Sequence, residues 1–149
     1  MTIEGILFSA SSPERARLLL DEMTAAGWTG ITHLDLNRGD AHTHVRAMDP
    51  AAIVLDLGSP DGVQREQAFR IASLGRWPVV IFVDHADGNS IEAAVAAGVS
   101  GYVVRGLVVG RVQSVVETAM SRFRQMERLR RERDEAVSAF DAFWCPVGR

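Results

Sequence analysis

The residue with the clearest potential for chemistry is Asp56, the one charged side chain in an apolar run from Ala51 to Leu57. A loop rich in glycine and proline, residues 58–62, follows it directly. A carboxylate at the end of a buried strand can attack a phosphoryl donor as a nucleophile, or hold a hard cation such as Mg²⁺. It can equally be a structural acid that accepts hydrogen bonds from loop amides. The sequence leaves these roles open.

Further polar groups stand where neighbouring strands would end. Asp84 follows an apolar segment, Ser11 follows another, and Arg105 follows a third. Asp61 lies in the loop after Asp56. Either Asp84 or Asp61 could help Asp56 to hold a cation, since carboxylate oxygens are ordinary Mg²⁺ ligands.

Other patterns that could carry chemistry are weak. His42 and His44 lie near Asp40, but histidines two positions apart on a helix face different directions and share a metal poorly. No G-x-S-x-G elbow is present, and no glycine-rich phosphate loop follows the first apolar segment. His85, beside Asp84, is interpreted as a solvated loop histidine.

Strand-length apolar segments alternate with helical segments along the chain. The predicted strands are residues 3–8, 31–36, 51–57, 78–83 and 101–104. The first predicted helix begins either with Ser12 as N-cap and Pro13 at the first helical position or with a capping box of Ser11 and Glu14, and it ends at Gly27. The others span residues 40–48, 63–74, 90–97 and 110 to about 140. This alternation indicates a parallel sheet covered on both faces. Five such units suit a flavodoxin-like, doubly wound α/β domain with strand order 2-1-3-4-5, in which ligands bind at the carboxyl ends of the strands.

Composition narrows the functional class. The chain has 149 residues, 47% of them hydrophobic, a net charge of -3 and one cysteine, Cys145. These values fit one globular domain without a disulfide framework, and they do not favour binding to polyanions. No secretory signal and no apolar run of membrane-spanning length is seen. We therefore expect a cytoplasmic protein that does not associate with membranes, with Cys145 as an incidental thiol.

The segment around Asp56 resembles the receiver domain of bacterial response regulators, the CheY-like family. Receivers carry a phosphate-accepting aspartate at this strand end, a proline four residues on and often Asp-Gly shortly after. Asp56, Pro60 and Asp61-Gly62 have that spacing. Residues 93–104 resemble the fourth helix and fifth strand of receivers, with Tyr102 at the position of their switch aromatic. The resemblance covers residues 3 to about 124.

The resemblance implies a phosphoryl-transfer pocket of which this sequence keeps only the aspartate. The family holds Mg²⁺ with two acidic residues after the first strand, and the matching positions are Ala10 and Ser11. The family places a hydroxyl at the end of the fourth strand, where this sequence has Val83. It places a lysine after the fifth strand, where this sequence has Arg105, and the residue after Arg105 is a glycine instead of the family's proline. These departures predict a pseudoreceiver with degenerate chemistry.

Two interpretations of Asp56 follow. In the favoured one it is a structural acid that accepts bonds from loop amides and pairs with Arg105, and the chain has no cofactor beyond weak Mg²⁺. In the alternative it is phosphorylated, with Asp84 or Asp61 helping to hold Mg²⁺ and with the surface around Tyr102 shifting in response. Loss of both metal carboxylates removes a large electrostatic contribution to phosphoryl transfer, which favours the first interpretation.

The last predicted helix is too long for the domain alone. Its first half carries a broad apolar stripe, whereas beyond residue 124 the chain is charge-dense with sparse apolar positions. A short two-chain coiled coil would bury Met126, Leu129 and Val137. We therefore divide the chain into a receiver-like domain, residues 1–124, and a helical extension with tail, residues 125–149, and expect a homodimer through the extension.

Residues 103–124 also resemble antitermination regulators of the ANTAR type, in which a pseudoreceiver leads through a coiled coil to a small RNA-binding domain. In this sequence only Ala136 to Arg149 follow Glu135, so we expect no output domain and no direct nucleic-acid binding from this chain. The prediction is a signalling module, not an enzyme, that acts by dimerisation or partner binding in a phosphorelay or antitermination pathway. A histidine kinase or sensor protein is the candidate partner. The remaining alternative is a small flavodoxin-like enzyme or cofactor-binding domain.

Overall fold

The computed structural model describes residues 2–59, 61–105 and 107–144, and the side chains of residues 141–144 are not described. Pro60, Gly106 and Cys145 of the sequence analysis lie outside the described residues. The strands are β1 Glu4–Ser9, β2 Thr29–His33, β3 Ala52–Gly58, β4 Val79–Val83 and β5 Gly101–Val104. The helices are α1 Pro13–Ala25, α2 Ala41–Met48, α3 Gly62–Ser73, α4 Gly88–Ala96 and α5 Val112–Trp144.

All neighbouring strands pair in parallel, in the order β2-β1-β3-β4-β5. The predicted flavodoxin-like fold and strand order are therefore confirmed. The central strands β3 and β4 are buried along their whole length, as expected for strands covered by helices on both faces. The order places β3 between β1 and β4, so the loops that follow these three strands meet at one edge of the sheet.

The second strand is the one clear error in the predicted elements. The alternating segment 31–36 was expected to be extended throughout, but β2 ends at His33. Leu34 and Leu36 beyond it are buried in the core as loop residues, and the N–H of Leu34 donates to the carbonyl of Phe8. The alternation in the sequence therefore reflects the burial of Leu34 and Leu36 and does not indicate continued strand pairing.

Helix α1 begins as predicted. Ser12 is the N-cap and accepts a hydrogen bond from the backbone N–H of Arg15, with Pro13 at the first helical position. The cap fixes the direction in which the chain leaves β1. It also places the first turn of α1 at the carboxyl edge of the sheet, next to the end of β3.

The sheet separates two hydrophobic layers. One layer packs β-strand residues such as Leu55 and Ile81 against α2 and α3. The other packs residues such as Val54 and Phe82 against α1 and the first part of α5. Since side chains alternate between the faces of a strand, Asp56 projects on the same side as Val54, toward α1.

The first three turns of α5 hold it to the sheet through Val112, Val116 and Ala119, which are buried. From residue 128 to residue 140 every described side chain of the helix is exposed. Within the described chain, no helix combines the length and apolar character needed to cross a membrane.

Candidate functional site

The candidate site is centred on Asp56, at the carboxyl end of β3. Its side chain has no exposed surface, although it is a carboxylate. Burial of a charge without partners is costly, so the neighbouring groups must compensate it. The loop after β1, the last residue of β3 and the first turn of α1 supply these groups.

From the described residues, Asp56 accepts four hydrogen bonds, two on each carboxylate oxygen. Its Oδ2 atom accepts from the backbone N–H of Ser11, at 3.2 Å, and from the Ser11 hydroxyl, at 2.9 Å. Its Oδ1 atom accepts from the backbone N–H of Gly58, at 3.2 Å, and from Nη1 of Arg15, at 3.0 Å. A carboxylate offers about four lone-pair positions, so this set occupies its acceptor capacity.

Arg15 joins two carboxylates with one guanidinium group. Its Nη1 atom lies 3.0 Å from Asp56 Oδ1, and its Nη2 atom lies 2.7 Å from Asp84 Oδ1. Asp84 is the residue that follows β4, the strand next to β3. The planar fork of arginine is suited to this task because its two terminal nitrogens donate in fixed, divergent directions.

Arg15 is the site residue that sequence reasoning missed. It is the third residue of α1, where the positive end of the helix dipole disfavours a cation. The hydrogen bond to Asp84 nevertheless raises the pKa of the Arg15 guanidinium above its ordinary value, with further contributions from the charge of Asp56 and the hydrogen bond to it. A basic residue in the first turn of a helix that follows a buried strand was the available signal, since such a residue needs nearby anions.

The expected pairing of Asp56 with Arg105 is wrong. No ion pair joins these two side chains, both of which belong to the described chain. Asp56 forms its ion pair with Arg15 instead. Arg105 follows β5 and lines the same cavity as Asp56, but Arg15, from the first turn of α1, already binds both Asp56 and Asp84 there. Arg105 is exposed and has a left-handed backbone, with φ of 54°.

Ser11 and Gly58 form the floor of the site. Gly58 has φ of +59°, and a Cβ atom built on it would lie 2.9 Å from the Ser11 hydroxyl oxygen and 3.0 Å from Ser11 Cβ. The pairing of β3 with β4 shifts register between Asp56 and Gly58, which turns the Gly58 N–H back toward the aspartate. Ser11, which stands where the receiver resemblance places a metal ligand, supplies two donors to Asp56.

The other predicted pocket residues divide between the site and its surroundings. Val83 and Asp84 line a cavity of about 220 Å³ together with Asp56, Arg15 and Arg105. Ala10 instead packs against the hydrophobic layer under α1 and α5. Asp61 is the N-cap of α3 and accepts a hydrogen bond from the Gln64 N–H at 2.8 Å, so it serves the helix and does not line the cavity.

The predicted switch and dimerisation residues lie elsewhere. Tyr102, on β5, packs partly buried against the layer under α2 and α3, and this burial raises the pKa of its hydroxyl. Met126, Leu129 and Val137 lie on α5 and are 49–52% exposed. Of the predicted residues, the structure therefore brings Asp56, Val83, Asp84 and Arg105 together around the cavity, and it leaves those of α5 on a separate surface.

The donor set does not fit a Mg²⁺ ion of the kind that the receiver resemblance implies. Among the described residues, no group of three or more histidine, cysteine, aspartate or glutamate side chains is arranged to hold a metal. Asp56 and Asp84 face the cavity, but Arg15 already binds an oxygen of each. His42 and His44 likewise form no part of a metal-binding cluster there.

The close approach at Gly58 generates a prediction. Gly58→Ala should lower the free energy of unfolding by at least about 2 kcal/mol, because it adds left-handed backbone strain of roughly 1–2 kcal/mol to the contact with Ser11. Gly62→Ala is the matched control, since a Cβ atom built on Gly62 meets nothing within 4 Å and Gly62 has no positive φ. Urea unfolding of both variants measures the difference. Equal stability of Gly58→Ala and wild type would contradict the close approach of Gly58 to Ser11 and its left-handed backbone.

Comparison with known proteins supports the architecture. No family model matches the sequence, and no curated protein matches it. Among solved structures, the signal receiver domain of a modulated diguanylate cyclase from Desulfovibrio desulfuricans has a TM-score of 0.66 and 16% identity, covering 85% of this chain and 99% of its own. The signal receiver domain of a Luxo repressor protein from Vibrio parahaemolyticus has a TM-score of 0.67 and 18% identity, covering 87% and 98%.

A third similar structure contains a trimeric coiled-coil segment of yeast Spc42 fused to another protein. It has a TM-score of 0.65 and 21% identity, and the match covers 96% of this chain and 99% of that one. At these identities the similarity concerns the fold. The chain has the fold of response-regulator receiver domains, extended by a long C-terminal helix.

Proposed function

We propose that this protein is a receiver-like signalling module in which Asp56 is a structural acid, and which acts through dimerisation or partner binding. The observation that carries the proposal is the set of four hydrogen bonds on the buried Asp56 carboxylate. The receiver fold supports a signalling role. The hydrogen bonds that occupy both oxygens of Asp56 support a role without phosphotransfer.

Phosphoryl transfer to Asp56 requires a free oxygen lone pair and a path for in-line approach. Here each oxygen has two donors, and the one from Arg15 comes from the cavity side. Attack would first require breaking the contact with Arg15, which leaves a buried carboxylate without its cation. Removal of one partner from a buried ion pair costs about 3–5 kcal/mol. We expect less here, because the Arg15 side chain is one-third exposed and water replaces part of the interaction.

The cavity argues against the flavodoxin-like enzyme alternative. Its volume of about 220 Å³ lies below the roughly 300–1,000 Å³ of ordinary small-molecule sites. Its lining includes two arginines and two aspartates. A site of this size does not support binding of a flavin or another large cofactor.

We predict that incubation with Mg²⁺ and a small-molecule phosphodonor adds no phosphoryl group to the wild-type protein. The physical reason is that the acceptor positions of Asp56 are occupied and that Ala10 provides no metal ligand. Intact-mass spectrometry under non-acidic, rapid conditions is the measurement. A phosphoryl adduct in wild type that disappears in Asp56→Asn would establish the phosphorylatable receiver instead.

The second part of the proposal is self-association through α5. Met126, Leu129 and Val137 present apolar surface on a stretch of helix that makes little contact with the domain. Each is about half exposed, so pairing would gain roughly 0.8–1.5 kcal/mol per side chain. Six such side chains in a two-chain interface amount to about 5–9 kcal/mol. Part of this gain offsets the translational and rotational freedom lost on association, so the apolar contacts and not the ion pairs must hold the dimer together.

Two arginines, Arg130 and Arg133, interrupt the apolar spacing of α5 along the proposed interface. The Arg130 guanidinium lies close to Gly75, where a built Cβ atom would be 3.5 Å from its Nη1. Arg130 therefore folds back toward the carboxyl end of α3, where a cation is favourable. This arrangement leaves Met126 and Leu129 as the apolar centre of the proposed interface.

We predict that Leu129→Asp converts the self-associated protein to a monomer while leaving the domain folded. The reason is that a charge would be buried at the centre of an interface held by apolar contacts. Arg131→Ala is the matched control on the same exposed stretch and should change little, because exposed ion pairs contribute at most about 1 kcal/mol. Sedimentation velocity from tens to hundreds of micromolar distinguishes monomer, dimer and trimer. A wild type that stays monomeric over this range would refute the interface.

We place the module in a cytoplasmic phosphorelay or antitermination pathway, with a histidine kinase or sensor protein as its candidate partner. The receiver fold and the resemblance of residues 103–124 to ANTAR-type regulators support this setting. A structural Asp56 implies that such a partner recognises the folded surface and does not transfer phosphate to the pocket.

A further inference from the structure

We propose that Arg15 is the resident cation of the Asp56 pocket, and that it takes the place of a divalent metal ion and excludes one. This inference deepens the proposed function and rests on it only in treating Asp56 as a structural acid. It starts from the misfit between the pocket and the Mg²⁺ that the receiver fold implies.

The first step is the position of the guanidinium group. Asp56 and Asp84 follow adjacent parallel strands, and their carboxylates face one cavity. The cation that joins them is Arg15, through contacts of 3.0 Å and 2.7 Å to the two Oδ1 atoms. A metal held by these two residues would need the same space, because it would have to lie between the same pair of side chains.

The second step is the charge balance. Two aspartates and two arginines, Arg15 and Arg105, line the cavity, so their formal charges cancel without a metal. Entry of a dication beside Arg15 would place like charges together in a partly desolvated site, which is unfavourable. The pocket therefore gains nothing from a metal while Arg15 remains in place.

The third step concerns ligands. Mg²⁺ requires near-octahedral oxygen coordination at about 2.0–2.1 Å. The Ser11 hydroxyl is committed to Asp56 Oδ2, and Ala10 packs into the hydrophobic layer. Only Asp56 and Asp84 remain as anionic ligands in the lining of the cavity, and both depend on Arg15 for their present pairing.

A tethered cation has a structural consequence that a free ion lacks. Arg15 belongs to the first turn of α1, whose cap Ser12 holds the Arg15 N–H. Its side chain therefore fastens α1 to the ends of β3 and β4. The conformation of this edge of the sheet becomes independent of the concentration of divalent cations.

The test compares Mn²⁺ binding to four full-length proteins: wild type, Arg15→Ser, Arg17→Ser and the double variant Arg15→Ser with Asp84→Asn. Arg17 is an exposed arginine on the same helix and controls for loss of positive charge. Electron paramagnetic resonance of free Mn²⁺ measures binding, and the melting temperature measures how much bound Mn²⁺ stabilises the folded protein. We expect Arg15→Ser to bind Mn²⁺ at least about tenfold more tightly than wild type and Arg17→Ser, and the double variant to lose this gain.

The melting temperatures should follow the same order. Arg15→Ser should melt below wild type in the presence of a chelator, and Mn²⁺ should restore several degrees, whereas wild type should shift by less than about 1 °C. Equal Mn²⁺ affinity of wild type and Arg15→Ser would overturn the proposal.

Should Arg15→Ser fail to fold, wild type alone decides the matter. Paramagnetic broadening of the Ser11 and Gly58 amide signals by Mn²⁺ would contradict a pocket closed by Arg15, and unbroadened signals would support it. The phosphodonor experiment remains a separate measurement. Wild type could exclude metal and still be phosphorylated, or bind metal without phosphorylation, so the two proposals fail separately.

Discussion

A buried carboxylate and the guanidinium that reaches it impose the main constraint on this structure. Asp56 lies at the end of a fully buried strand with no exposed side-chain surface, and four donors surround it. Loss of any one donor would leave a desolvated anion incompletely satisfied, at a cost of about 1–3 kcal/mol or more for a charged group. The surrounding loops must therefore keep their present shapes for the domain to remain stable.

This constraint links local backbone features that otherwise have no common cause. The register shift after Asp56 and the positive φ of Gly58 direct the Gly58 N–H toward the carboxylate. The Ser12 cap of α1 holds Arg15, which donates to the same carboxylate. Arg15 extends the arrangement to Asp84 and so to the next strand. The result is an edge of the sheet held together by side chains, at the place where doubly wound folds ordinarily bind ligands.

The fold was predictable because its main determinants are local in sequence. The apolar runs of β3 and β4 and the caps around Ser12 and Gly27 specify where elements begin and end. The site was only half predictable. Asp56, Asp84 and Ser11 stand at strand ends and could be proposed from spacing, but the identity of the cation could not. Arg105 and Arg15 both follow strands whose carboxyl ends meet at this edge, so the predicted strand order allows either arginine, and only the side-chain contacts identify Arg15.

The central claim is that the cation of this pocket is part of the polypeptide. The most direct measurement is the anomalous scattering of wild-type crystals grown in millimolar Mn²⁺. The account predicts no anomalous peak between Asp56 and Asp84, with the Arg15 guanidinium bonded to both carboxylates as it is here. A Mn²⁺ peak between the two aspartates, with the Arg15 side chain turned to solvent, would contradict it.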